Sequence, residues 1–155
     1  MTIAVTSPAF LEGAPIPALY TADGRDISPP LRWSGVPAAA KTLALVCEDP
    51  DAPMGTWVHW VLFNLPAGIA DLPENVLPAG NAPHGARQGL NDFRHAGYGG
   101  PAPPPGRPHR YYFRLYALDA ELALHPGISR KDLLREMQGH LLAEGQLMGT
   151  YQRRR

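Results

Sequence analysis

The chain has 155 residues, 45% of them hydrophobic, with 14 Lys+Arg balanced by 14 Asp+Glu. That length suits one domain, here 1–155, and that apolar content excludes disorder as its general state. The balanced charge gives no nucleic-acid footprint, and the basic residues scatter apart from Arg153, Arg154 and Arg155, read as a solvated tail. The single cysteine, Cys47, rules out an internal disulfide framework. No secretory leader or membrane span is visible, so a cytoplasmic protein without integral membrane association is expected.

Sixteen Gly and 18 Pro make up more than a fifth of the chain. Prolines are barred from helix interiors and central ladders, so short strands joined by shaped loops are predicted. In chain order the predicted strands are Ile3–Phe10, Leu31–Ser34, Thr42–Cys47, Trp57–Leu65, Tyr111–Leu118 and Glu144–Tyr151. Strict alternation in the fourth would put Trp57, His59, Val61 and Phe63 on one face and Val58, Trp60 and Leu62 on the other. Both faces are apolar, so this strand is expected to be covered on both sides. One helix is predicted near 130–143, capped by Ser129 and Asp132, with Leu134, Met137 and Leu141 as its apolar stripe. Gly139 weakens that helix from within. Two long connections, Pro66–Arg87 and Gly89–Pro108, complete the chain.

Three segments combine chemistry-bearing residues. Asp49-Pro-Asp-Ala-Pro53 follows a strand and is good turn chemistry, yet its prolines also suit a loop that points Asp49 into a cleft. His59 lies between Trp57 and Trp60, as a buried core histidine or a pocket group. Pro103-Pro-Pro-Gly-Arg-Pro-His109-Arg-Tyr111 is a stiff loop feeding a strand. An aspartate, two imidazoles and a tyrosine at strand ends are the parts of a small polar pocket in an apolar wall.

In their order and spacing, Asp26-Ile-Ser-Pro-Pro-Leu31-Arg-Trp33, Asp49-Pro-Asp-Ala-Pro53, His59-Trp-Val, Gly89-Leu-Asn-Asp-Phe93, Gly97-Tyr-Gly-Gly-Pro101, Pro103-Pro-Pro-Gly106 and His109-Arg-Tyr111 span nearly the whole chain. Together they resemble the bacterial branch of the phosphatidylethanolamine-binding protein family, also called Raf-kinase-inhibitor-like. The resemblance implies an antiparallel Greek-key β-sandwich with a peripheral helix, a homodimer, and a small anion pocket formed by Asp49, His59, Pro104 (with Pro105 the alternative), His109 and Tyr111. Arg94 departs from the glycine that many bacterial relatives carry there, and the helical ending of the animal proteins is absent, which puts kinase binding in doubt.

These residues point to a binding module for phosphate, phosphoethanolamine-like ligands or small carboxylates that modulates a partner protein, with no cofactor. Imidazole N–H groups, the Tyr111 hydroxyl and backbone N–H groups of the Gly97–Gly100 and Pro103–Gly106 loops are the expected donors. A hydrolase using the Asp/His pocket is the alternative, with no nucleophile obvious: Cys47 lies in an apolar strand and Ser28 in a structural motif. A zinc site from Asp49, His59 and His109 is a further alternative.

Overall fold

The computed structural model describes residues 2–78 and 82–154. Among these described residues, eight strands and one α-helix appear in the order β1 (Ala4–Thr6), β2 (Leu31–Ser34), β3 (Thr42–Asp49), β4 (Trp57–Pro66), β5 (Asp71–Leu72), β6 (Arg87–Gln88), β7 (His109–Leu118), α1 (Arg130–Met137) and β8 (Leu141–Tyr151). They form two antiparallel sheets, β1-β2-β5 and β6-β4-β3-β7-β8. The predicted β-sandwich with one helix is therefore the observed architecture.

The main core lies between the sheets. Val5, Leu31, Trp33 and Leu72 of the small sheet meet Leu43, Leu45, Cys47, Trp60, Leu62, Tyr111, Phe113 and Leu115 of the large one. A second core covers the far face of the large sheet, where Ala44, Val46, Val61 and Phe63 pack under Leu122 and under Leu133 and Met137 of α1. All eight residues of β3 are buried, because this strand has apolar cover on both faces and neighbours on both edges.

Strand β4 does not alternate strictly, contrary to the sequence reading. The pairing Cys47↔Trp60 is followed by Glu48↔Val58, so His59 is an extra residue on the β4 side. This bulge reverses the phase. Val58, Val61 and Phe63 share the far core, while Trp60 and Leu62 face the other sheet. Trp57 and His59 join that latter face at its open end. A second bulge between Leu62 and Leu65 holds Asn64 at φ 57.

The helix is shorter than predicted. Ser129 and Asp132 form the expected capping box, but α1 ends at Met137. Gly139 adopts φ 83 just beyond the last turn, the left-handed conformation that stops a helix. It terminates α1 instead of weakening it, and Leu141 belongs to β8. The buried residues of α1 are Leu133 and Met137.

The first predicted strand is also cut back. Ser7 leaves the ladder to donate its hydroxyl to the Pro30 carbonyl, and Pro8 follows it. Ile3 before β1, and Gly13 and Ile16 after the Ser7 turn, instead line the outer edge of β8, through Ile3 N–H to Glu144 O, Gly13 N–H to Met148 O and Ile16 N–H to Thr150 O. These bonds close an edge that would otherwise be exposed to strand addition. Of the Pro66–Arg87 connection, residues 79–81 lie outside the described residues, as does Arg155 of the basic ending. No helix among the described residues is long and apolar enough to cross a membrane.

Candidate ligand-binding site

The end of β3 and the starts of β4 and β7 meet at one end of the large sheet. Glu48 pairs with Val58 on one side and Tyr112 on the other. One step further along β3, Asp49 pairs with Trp57. The result is a cavity of about 210 Å³ lined by Asp49, Ala52, Pro53, Trp57, His59, Phe93, Ala102, Pro103, Pro104, His109 and Tyr111. All five sequence-derived candidates, Asp49, His59, Pro104, His109 and Tyr111, line this one space. Pro105 lies instead on a neighbouring surface groove.

Asp49 serves both readings of its motif. Its Oδ1 accepts the Asp51 N–H at 2.7 Å, closing the turn. Its Oδ2 accepts from His109 Nδ1 at 2.6 Å, with both side chains buried. A carboxylate only accepts, so the shared proton sits on Nδ1 and the neutral imidazole keeps its lone pair on Nε2. Asp51 in turn accepts Nε and Nη2 of Arg110, and this clasp ties the turn to β7. The Arg110 guanidinium pulls the Asp51 carboxyl down to about 2.

His59 is held differently. Its Nδ1 donates to the Gly99 carbonyl at 2.6 Å. Burial pushes the imidazole pKa below its ordinary value, and the Gly99 bond and the charge of Asp49 oppose that only in part. The ring stands edge-on to Tyr111 and Phe93, with centroids 5.2 and 5.4 Å away. Gly99 is required here by close approach. A Cβ on it would lie 2.5 Å from Phe93 Cδ2.

Two donors in the cavity wall are unpaired. The Tyr111 hydroxyl and the Trp57 Nε1–H are buried and have no hydrogen-bond partner among the described residues. Burial, with the nearby charge of Asp49, raises the Tyr111 pKa well above its usual value, so the phenol keeps its proton. Leaving a buried donor unmatched costs about 1–3 kcal/mol, so such groups call for an explanation.

Phe93 and Trp57 are wall residues that the sequence reading did not assign to the pocket. They contact each other edge-on at 5.5 Å. Phe93 sits on a turn organised by Asn91, whose Oδ1 accepts the Phe93 N–H and whose Nδ2 donates to the Gly97 carbonyl. Asp92 joins the turn to β4 by accepting the Val58 N–H at 2.7 Å. Arg94 has φ 70, the conformation that favours glycine at this position. The legible signal was Asn91-Asp92, a pair apt to organise a turn, placed before an aromatic.

The glycine N–H groups among the expected backbone donors are already engaged. Gly97, Gly99, Gly100 and Gly106 N–H groups bond to Gly89 O, His59 O, Asp26 Oδ1 and Arg153 O. Trp60 is also absent from the cavity, since its indole donates to Gln88 Oε1 in the core. Cys47 packs between the sheets, with its thiol pKa raised by burial. Ser28 accepts the Val76 N–H. Among the described residues no group of three or more His, Cys, Asp or Glu is placed to hold a metal.

The comparisons with known proteins agree with this architecture. A family model described as phosphatidylethanolamine-binding protein matches residues 6–152. A UPF0098 protein of Methanothermobacter thermautotrophicus is 55% identical over 145 residues, covering 94% of this chain and 95% of that one. The crystal structure of a putative phosphatidylethanolamine-binding protein homologue from Chlamydia trachomatis superposes with a TM-score of 0.89 at 43% identity, over 98% of both chains. That of Escherichia coli YbcL, described as a new member of the mammalian family, gives 0.91 at 33% identity over 99% of both. The chain belongs to the phosphatidylethanolamine-binding protein family.

Proposed function

We propose that this chain is a binding module for a small anion, such as phosphate, a phosphoethanolamine-like monoester or a carboxylate, that modulates a partner protein. The observation that carries the reading is the pair of buried, unpartnered donors, Tyr111 O–H and Trp57 Nε1–H, in the wall of one cavity. An anion supplies the acceptor that both lack. Bonds to an ionised acceptor are the stronger kind, and the proline, alanine and aromatic walls keep the local dielectric low. Because each neutral imidazole spends its Nδ1–H on Gly99 or Asp49, it donates to a ligand only after gaining a second proton on Nε2.

The Asp49–His109 pair also has the form of a general base, which favours hydrolysis as the second reading. No serine, threonine or cysteine lines the described cavity, so water would have to serve as nucleophile. Titration with phosphate, phosphoethanolamine and acetate, followed by the indole N–H resonance of Trp57, tests the binding reading. Saturable movement is expected for at least one anion. No movement at millimolar concentrations sinks it, and turnover of simple esters that is lost in His109→Gln would replace it with hydrolysis.

A further inference from the structure

The proline wall of the cavity is held by residues outside it. Pro103, Pro104 and Pro105 have no N–H, so this segment is anchored only through its carbonyls and its flanks. Arg153, expected from sequence to be part of a solvated tail, supplies much of that anchoring. Its Nη1 donates to the Pro103 carbonyl at 3.3 Å. Its Nη2 and Nε donate to Asp23 Oδ1 and Oδ2 at 2.7 and 3.2 Å. The Tyr151 hydroxyl donates to the same Asp23 carboxylate at 2.7 Å. At the far end of the loop, Gly106 N–H donates to the Arg153 carbonyl, and Gln152 Nε2 donates to the Gly106 carbonyl. Beside Asp23, the Ala22 N–H donates to the Pro101 carbonyl.

The segment 101–106 is thus clamped at its start, middle and end by two stretches remote in sequence. Arg153 joins them with one planar, forked group, which satisfies a carboxylate and a carbonyl together. The guanidinium also holds the Asp23 carboxyl below its ordinary range, so the ion pair persists through neutral pH. Neither Asp23 nor Arg153 lines the cavity.

We propose that Arg153, with Asp23 as its counter-charge, is a positioning residue that fixes the Pro103–Pro104 wall and thereby sets the affinity of the cavity for its anion. The inference rests on the anion-binding reading for its effect on affinity, but not for its effect on the loop. Without the latch the wall samples positions that do not close around a ligand. Apparent affinity then falls in proportion to the closed fraction.

The test compares Arg153→Gln, Arg153→Lys and Asp23→Asn with the parent, using inorganic phosphate as the probe. Arg135→Gln, which breaks an exposed ion pair with Asp132 on α1, is the control. Losing one hydrogen bond's worth of loop order raises the phosphate dissociation constant about two- to tenfold in Arg153→Gln and Asp23→Asn. Arg153→Lys, which keeps the charge but not the fork, is expected to lose less, and the control nothing. The amide order parameters of Ala102, Gly106 and Arg107 fall in the same variants, while the urea midpoint changes little. Unchanged phosphate affinity and amide order in folded Arg153→Gln overturns the proposal. So does a lowered urea midpoint with both readouts intact, since that is a merely structural role. Should the parent bind no phosphate, the binding reading has failed at this probe. The latch is then decided by amide order in the ligand-free protein: a fall in Arg153→Gln sustains it, and no fall overturns it.

Discussion

Two adjacent carboxylates on β3, Glu48 and Asp49, take opposite faces of the large sheet and meet opposite fates. Glu48 is buried and faces two guanidinium groups. Arg114 Nε donates to its Oε1 at 2.7 Å, and Arg130 Nε approaches its Oε2 to 2.8 Å as a charge contact whose N–H is not aimed at the oxygen. Arg114 also lies over the Tyr112 ring at 4.5 Å and donates to Gln146. This network joins β3, β7, β8 and α1. Asp49 is equally buried but faces the cavity, where its one side-chain partner is a titratable imidazole. Two neighbouring donors there are left unmatched. Burial of a carboxylate therefore does not distinguish structure from function. What distinguishes them is what meets the carboxylate: two guanidinium groups at Glu48, and at Asp49 a single imidazole at the edge of a cavity that also holds two unmatched donors.

Breaking each side separates the two roles. Arg114→Ala leaves Glu48 with one misaligned partner. Losing one partner of a buried pair costs about 3–5 kcal/mol when no water can enter. Arg114 and Arg130 are each about one-third exposed, so a smaller loss, about 2–3 kcal/mol, is expected by urea unfolding. Phosphate affinity should not change. If it does, the two faces are coupled and the comparison fails. Tyr111→Phe is the converse experiment. It removes an unpaired hydroxyl, so the ligand-free protein should gain about 1 kcal/mol, while phosphate binding weakens by about 1.5–3 kcal/mol. A loss of stability in calorimetry would show that the hydroxyl already has a partner in the free protein.

Much of this contrast was legible in the residues. Six strands carry enough apolar pattern to be located, and the Asp49, His59 and His109-Arg-Tyr111 motifs converge on one cavity. Three features were hidden for physical reasons. Strands β5 and β6 are two residues each, too short to show any period. The bulge at His59 breaks alternation without a glycine or proline to announce it, yet it brings Trp57 and His59 onto the cavity face. Gly139 and Arg153 were misjudged because their roles depend on what surrounds them: a helix end in one case and a distant aspartate in the other. The alternation argument placed Trp57 and His59 together correctly, but with the wrong companions.

The smallest expected effect concerns pH. Sulfate remains a dianion from pH 8 to 5.5, so any change in its binding reports on the protein. Burial lowers the pKa of His59, against opposing contributions from the Gly99 carbonyl and the charges of Asp49, Asp26 and Asp92. The ligand-free cavity consequently holds His59 neutral as pH falls through the ordinary histidine value of about 6.5. A bound dianion favours the imidazolium and raises that pKa, so binding takes up a proton. Affinity must therefore rise as pH falls, beginning near the raised value of the complex and continuing down to the depressed value of the free protein. The gain is up to about tenfold for each histidine whose pKa rises one unit on binding. The sign for folding is the opposite. Below about pH 6.5 the unfolded chain protonates this residue before the folded one does, so the stability owed to neutral His59 is lost as pH falls toward its folded value. Acidification should then tighten sulfate binding while weakening the ligand-free fold, and calorimetry at pH 8 and 5.5 reads both. His59→Gln can keep a donor to the Gly99 carbonyl but cannot titrate, and paired with His109→Gln it should flatten the sulfate profile. Equal sulfate affinity at the two pH values in the parent would mean that neutral groups alone, Tyr111 and Trp57, hold the anion.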